Sequence, residues 1–364
     1  MSPVGASRTP VAVDAMGGDR APGAVVEGAA LAARRGHGPI TLVGDADLVA
    51  TAARGLGLTL AAPGEPMDRV DAVGVTHADE AITMDESPVK AARSKRASSL
   101  HVACGLVKEG RACGVLSAGN SGALMAVSLL VLRRLPKCER PAIAVLMPTR
   151  AAPVVLLDAG ANVECRPAHL VQFGLMGAAY AQIRLSRSTP SVGLLSNGTE
   201  PGKGTELLRE ADQMLRDTSL NYAGFIEGRD LPLGAYDVVV TDGFTGNVVL
   251  KVSEGIALAL LDRVREGLKG NLLGALGGLL VRRALRSLRS ELDWVRIGGA
   301  PLLGVDGVVV AAHGSSDAEA VASGIRVTRE LADLGLVERL RAALSAADVP
   351  QAGTNSLPGA LPDR

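Results

Sequence analysis

The sequence predicts an α/β fold in three layers, with helices on both faces of a mostly parallel sheet. Three observations predict it. Strand-like and helix-like runs alternate from end to end with short turns between them. Several strand-like runs, such as Val238 to Val240 and Val308 to Val310, are continuously apolar, as strands buried on both faces must be. The 364 residues, 47% hydrophobic and 21% charged, are enough for a sizeable core in a soluble chain.

In order along the chain, "VAVDAMGGD" opens the fold as a strand and turn, and "PITLVGD" is the next strand after a helical stretch. "CGVLSAGNSGALMAVSLLVLRRL" reads as strand, glycine turn and helix. "APVVLLDAGANVECRPAHLVQFGLMGAAYAQIRL" repeats that logic, with Pro167 near the helix start, where proline is tolerated. "SVGLLSNGTEPGKGTELLREADQML", "VVVTDGFTGNVVLKVSEG" and "GVVVAAHGSSDAEAVASGIRVTREL" repeat it again. Residues 1–345 are therefore expected to form one α/β/α domain. The proline-containing 346–364 segment is expected to be a disordered tail. A leucine-rich basic insertion at about 262–293 has helical spacing, and Gly277 and Gly278 suggest a helical hairpin. Its Leu276, Leu280, Arg282, Arg283 and Arg286 suit either packing on the core or a dimer partner, or docking to an acidic protein or an anionic membrane.

Composition narrows the function. The formal net charge is +0 and aromatics are 2%, so neither a global field nor stacking platforms recommend nucleic acid. The four cysteines form no C-x-x-C pair and read as free thiols of a reducing compartment. The N-terminus carries no apolar signal core, and the run at 272–281 is too short to span a bilayer, so a cytoplasmic location is expected.

Ligands of such sheets bind beyond the carboxyl ends of strands. Six Gly-rich turns, at 14–19, 117–122, 158–162, 196–204, 241–247 and 312–317, should lie there on one rim. Glycine admits close approach of backbone N–H groups, and a following helix start favours an anion. Neither a phosphate-loop motif nor a dinucleotide fingerprint is present, and no histidine–carboxylate spacing recommends a metal. His313 alone among the histidines falls in a strand-end turn, as a base or as a loop hydrogen-bonding group. Lys90 and Arg93, three apart, share a helix face suited to phosphate.

Seven stretches in register, from "VAVDAMGGDRAP" and "MDESPVKAARSKRASS" through "LSAGNSGALMA", "LLDAGANVECRPAHLVQF", "LLSNGTEPGKGTEL" and "GFIEGRDLPLGAYDVVVTDGFTGNVVLKVSEG" to "GGAPLLGVDGVVVAAHGSSDA", resemble the bacterial phosphate acyltransferases. The resemblance implies a fold akin to phosphotransacetylase and to isocitrate and isopropylmalate dehydrogenases. It implies a homodimer that moves a long-chain acyl group from acyl carrier protein to inorganic phosphate, without a cofactor. The acyl phosphate would feed a membrane glycerol-3-phosphate acyltransferase of phospholipid synthesis. Two positions depart from the family pattern: Ser121 replaces the usual Thr, and Ser196, followed by Asn197, replaces the usual Asn. Placement on the turns nominates Asn120, Asn162, Asp242, Asn247 and His313 as catalytic groups. Lys90, Arg93, Ser121 and Lys203 are nominated as substrate-binding groups around the same cleft. An NAD-dependent dehydrogenase, a coenzyme A-dependent phosphotransacetylase and a non-enzymatic scaffold are the competing readings.

Overall fold

A computed structural model of the chain describes residues 9–62, 65, 67, 69–200, 202–269 and 298–346. Among the described residues eleven strands form one sheet: β1 (Val11–Asp14), β2 (Ile40–Gly44), β3 (Val73–His77), β4 (Gly114–Ser117), β5 (Ala142–Met147), β6 (Val154–Leu157), β7 (Ser191–Ser196), β8 (Asn221–Glu227), β9 (Val238–Val240), β10 (Ala300–Leu303) and β11 (Val309–Ala311). Their spatial order is β3-β2-β1-β4-β11-β10-β5-β6-β9-β7-β8.

The strands alternate their side chains between two cores, as a period of two requires. Val11, Val13, Leu116, Leu157 and Val240 enter one core with α1 (Gly23–Arg34) and α6 (Pro167–Arg184). Ala12, Val115 and Val309 enter the opposite core with α4 (Ser99–Lys108) and α5 (Ser121–Val131). Leu156 and Val239 meet Leu250 of α8 (Gly243–Lys269) in a third cluster. Among the described residues the remaining α-helices are α2 (Ala46–Gly55), α3 (Pro88–Ser94), α7 (Glu206–Arg216), α9 (Ala318–Asp333) and α10 (Leu336–Ala346). Capping fixes where several of them start: Asn120, Thr205 and Asp317 each accept a backbone N–H of the first turn. The layered α/β architecture with a mostly parallel sheet is the one the sequence predicts.

The polarity of the sheet changes across its middle. β3, β2, β1, β4 and β11 are mutually parallel, and so are β6, β9, β7 and β8. Between them β10 runs antiparallel to β11 and to β5, and β5 antiparallel to β6. Ala311, ending β11, pairs with Ala300 at the start of β10, whereas Leu157, ending β6, pairs with Ala144 near the start of β5. Three antiparallel junctions therefore put the carboxyl ends of the two parallel sets on opposite edges of the sheet. At β10, four residues long, those edges are about 13 Å apart.

α8 is long and apolar enough, by length and composition alone, to cross a membrane. Its first turn is nonetheless built into the sheet edge, and Phe244, Val248, Val252, Ile256 and Leu260 are exposed at four-residue spacing along it. Leu276, Leu280, Arg282, Arg283 and Arg286 of the expected hairpin lie outside the described residues; of the expected 346–364 tail, Ala346 ends α10 and 347–364 lie outside the described residues.

Candidate active site

The six turns do not share one rim. Those after β1, β4 and β11 gather on one edge, and those after β6, β9 and β7 on the other, because the antiparallel centre of the sheet reverses strand polarity. Within the chain, the nine nominated residues thus divide into Lys90, Arg93, Asn120, Ser121 and His313 on the first edge and Asn162, Lys203, Asp242 and Asn247 on the second.

The first edge is organised by Asp14, a carboxylate only 4% exposed at the end of β1. Ser99 Oγ donates to its Oδ1 at 2.6 Å, and Ser117 Oγ to its Oδ2 at 2.7 Å. Ser117 Oγ in turn accepts the Gly119 N–H at 3.1 Å. Burial raises the pKa of Asp14 above the usual carboxylate value, against the lowering effect of those hydrogen bonds. Packing here demands glycine: a β-carbon on Gly17 would lie 2.6 Å from Asp14 Oδ2 and 2.8 Å from the Gly119 nitrogen. Gly18, with φ +104°, takes a conformation that side chains disfavour, and lies against Ala118 and the Gly314 carbonyl. The Asp19 N–H donates to that same carbonyl at 2.8 Å, so the β1, β4 and β11 turns are one unit.

Asn120 is the cap of α5, its Oδ1 accepting the Ala123 N–H at 3.1 Å. Its Nδ2 donates to the carbonyls of Met84 at 3.1 Å and Glu86 at 3.4 Å. Both ends of the amide are thus engaged, and Asn120 acts on the site by tying the 84–86 segment to the start of α5. The N–H groups of Ser121 and Gly122 open the helix with no intrahelical acceptor, the usual state of a first turn. Ser121 is exposed beside them. His313 Nδ1 accepts the Ser315 N–H at 3.2 Å and contacts Ser315 Oγ at 2.8 Å. Because a backbone N–H can only donate, the neutral ring carries its proton on Nε2. The imidazole therefore offers a donor on Nε2, while Nδ1 makes a loop hydrogen bond, the alternative the sequence left open beside a base.

The second edge consumes its own polar groups. Asp158, fully buried, accepts from the backbone N–H of Ile143, Gly160, Ala161 and Asn162 and from Asn162 Nδ2. Asn162 Nδ2 also donates to the Pro141 carbonyl at 2.8 Å. Asp242 receives the N–H and the hydroxyl of Thr245, both at 2.8 Å, as the cap of α8. Asn247 is exposed beside Gly160, and Lys203 is exposed with its stem across Gly198. This edge is a structural knot, with Asn247 and Lys203 among the exposed polar side chains of its turns.

Asp14, Ser99 and Ser117 are the residues of the site that sequence reading did not nominate. The strand-end position of Asp14 was a signal, but Ser99 lies far from it in sequence and carried none. No thiolate is available on either edge. Burial pushes the thiols of Cys104, Cys138 and Cys165 up to about 12.

The family profile described as "Fatty acid synthesis protein" matches residues 9–339. The phosphate acyltransferase of Syntrophotalea carbinolica is 48% identical over 340 residues, covering 93% of this chain and 94% of the relative. That of Geobacter sulfurreducens is 45% identical over 330 residues, covering 91% and 92%. Among solved structures, a phosphotransacetylase from Streptococcus pyogenes superimposes with a TM-score of 0.60 at 16% identity, covering 90% of this chain and 94% of that one. 4-Hydroxythreonine-4-phosphate dehydrogenase from Klebsiella pneumoniae gives a TM-score of 0.53 at 13% identity, covering 90% and 98%. At such identities the structural likeness concerns the fold alone.

Proposed function

Because the chain belongs to the fatty acid synthesis protein family, with phosphate acyltransferases as its curated relatives, we propose that it transfers an acyl group to inorganic phosphate. The acyl donor is a long-chain thioester of acyl carrier protein, and the acyl phosphate product serves phospholipid synthesis. The observation that carries the site assignment is the first sheet edge, where the Gly-rich turns after β1, β4 and β11 meet at the start of α5.

The chemistry is a direct displacement. A phosphate oxygen attacks the thioester carbonyl, a C–O bond forms, and the carbonyl becomes a tetrahedral oxyanion. Collapse breaks the C–S bond, and the departing thiolate takes a proton. Inorganic phosphate is itself the nucleophile, so the reaction needs neither an activated side-chain hydroxyl nor an ionised thiol. The first-turn N–H groups of Ser121 and Gly122, the Ser121 hydroxyl and the positive end of the α5 dipole hold the phosphate. His313 Nε2–H is a donor for the oxyanion or the departing sulfur. Asp14, through Ser117 and Gly119, and Asn120, through Met84, hold these groups in place, which is catalysis by positioning. A general base is dispensable, because phosphate is already largely ionised near neutral pH.

A homodimer, a cytoplasmic location and peripheral contact with an anionic membrane, where a glycerol-3-phosphate acyltransferase would take the product, belong to the same proposal. The exposed apolar side of α8 supports the homodimer reading, with a second copy of the chain as its cover. The reaction is tested by incubating the chain with palmitoyl-loaded acyl carrier protein and phosphate and trapping acyl phosphate with hydroxylamine. Trapped product that requires phosphate is the expected result, whereas loss of the thioester at the same rate without phosphate would make the chain a thioesterase.

A further inference from the structure

α3 and the turn after it carry a group of cations that the ion pairs around them leave unused. Lys95 Nζ is held by Glu86 Oε2 and the Ala81 carbonyl, both at 2.8 Å. Glu86 also accepts the Thr83 N–H at 2.8 Å, and Asp85 accepts the Thr83 hydroxyl at 2.6 Å. The nearby acids are therefore engaged within their own loop. Lys90, Arg93 and Arg96 are exposed, and no ion pair of theirs occurs among the described residues. Lys90 and Arg93, one turn apart, share a helix face. Val89, 55% exposed, lies beside them, and Ser87, Val89, Lys90, Arg93 and Ser94 line an open basin of about 550 Å³.

This basin is fixed to the proposed reaction site. A β-carbon on Gly122 would sit 2.9 Å from Pro88 Cγ, so the start of α3 lies against the first turn of α5. The two donations from Asn120 Nδ2 clamp the connecting 84–86 segment to the same turn. A cationic surface with an apolar element thus adjoins the helix start that would hold phosphate. Its openness and outward side chains suit a macromolecular partner better than a small buried anion.

We propose that this face of α3 is the docking surface for the acidic carrier protein, from which the thioester passes to the α5 N-terminus. The proposal rests on the carrier-protein reading given under the proposed function. It reassigns Lys90 and Arg93, which the sequence recommended for phosphate. Exposed charges of this kind raise encounter rates and are screened by salt.

The test uses the full chain and its Lys90→Glu/Arg93→Glu variant, with the milder Lys90→Gln/Arg93→Gln pair in reserve and folding checked by circular dichroism. Binding of carrier protein bearing its thiol arm but no acyl group is measured by calorimetry at low and high salt. Rates are measured with palmitoyl carrier protein as donor, varying the donor and phosphate separately. The expected result is that carrier affinity falls and the donor KM rises by about tenfold or more at low salt, and that the difference shrinks at high salt. The KM for phosphate does not move. A raised phosphate KM with unchanged carrier binding would make these cations a phosphate site. Lost flotation with anionic vesicles at unchanged carrier affinity would make them a lipid surface. Either result overturns the docking proposal. A wild type that binds carrier through these residues yet yields no acyl phosphate would instead sink the proposed reaction and leave the docking surface standing.

Discussion

Ser117 has two obligations at once, and their loss can be measured. Its hydroxyl donates to Asp14 and accepts from Gly119, so Ser117→Ala leaves a buried carboxylate oxygen and a backbone N–H each short of a partner. Such losses cost about 1–3 kcal/mol per buried group, and a lowered denaturation midpoint with unchanged slope is the expected outcome. Asp14 adds a pH dependence. Its folded-state pKa lies above the ordinary 3.8, so above that pH the folded chain retains a proton that the unfolded chain releases. Its contribution to stability is therefore greatest at low pH and declines as pH rises from 3.8 through the folded pKa. The melting temperature of the wild type minus that of Asp14→Asn should accordingly fall as pH is raised across that window; a constant difference would show that Asp14 does not titrate there. His313 is tested by its donor role. Gln can present an N–H near the position of Nε2, so His313→Gln should keep most of kcat, while His313→Ala should lose up to about 10²-fold. Equal losses in both would show that the ring does something other than donate.

α8 shows both what sequence reading captures at the level of an element and what it misses. The strand, turn and helix of residues 238–255 are legible because an apolar triplet is followed by Asp242, which caps the helix, and by glycines where Asp158 crowds the backbone. The exposure of the helix is not legible, since an apolar stripe at helical spacing reads equally as a face packed on the core. Phe244, 62% exposed, and Ile256, 55% exposed, stand outward instead. A second copy of the chain is the proposed cover. Val252→Glu/Ile256→Glu should then shift sedimentation from dimer to monomer. A variant that stays dimeric but no longer floats with anionic vesicles would assign the stripe to membrane contact instead. α3 carries a parallel lesson. Its charges were visible, but their freedom depends on Glu86 being occupied by Lys95, a contact that spacing does not reveal.

At the scale of the whole molecule, strand direction decides which turns can cooperate. The alternating runs gave the layers and most of the parallel strands, because buried strands and capped helices have local signatures. The centre of the sheet has none. β10 is the four-residue stretch Ala300–Leu303, and β5 is the apolar run Ala142–Met147; neither reveals its direction through composition. Reading all six turns onto one rim followed from treating the sheet as parallel throughout, and the antiparallel β5–β10 centre separates them. This separation has a kinetic consequence. Ser121, at the start of α5, lies with the β1, β4 and β11 turns, whereas Lys203 follows β7 on the opposite edge. Ser121→Ala should raise the KM for phosphate by about tenfold, the cost of one hydrogen bond to a charged group. Lys203→Ala should leave it unchanged, although sequence position alone recommended that lysine for phosphate. Phosphate titrations of both variants at saturating acyl donor decide the matter. A raised KM in Lys203→Ala would mean that the second edge reaches the substrate after all, through a partner copy or a closure of the chain, and the site could no longer be placed on the first edge alone.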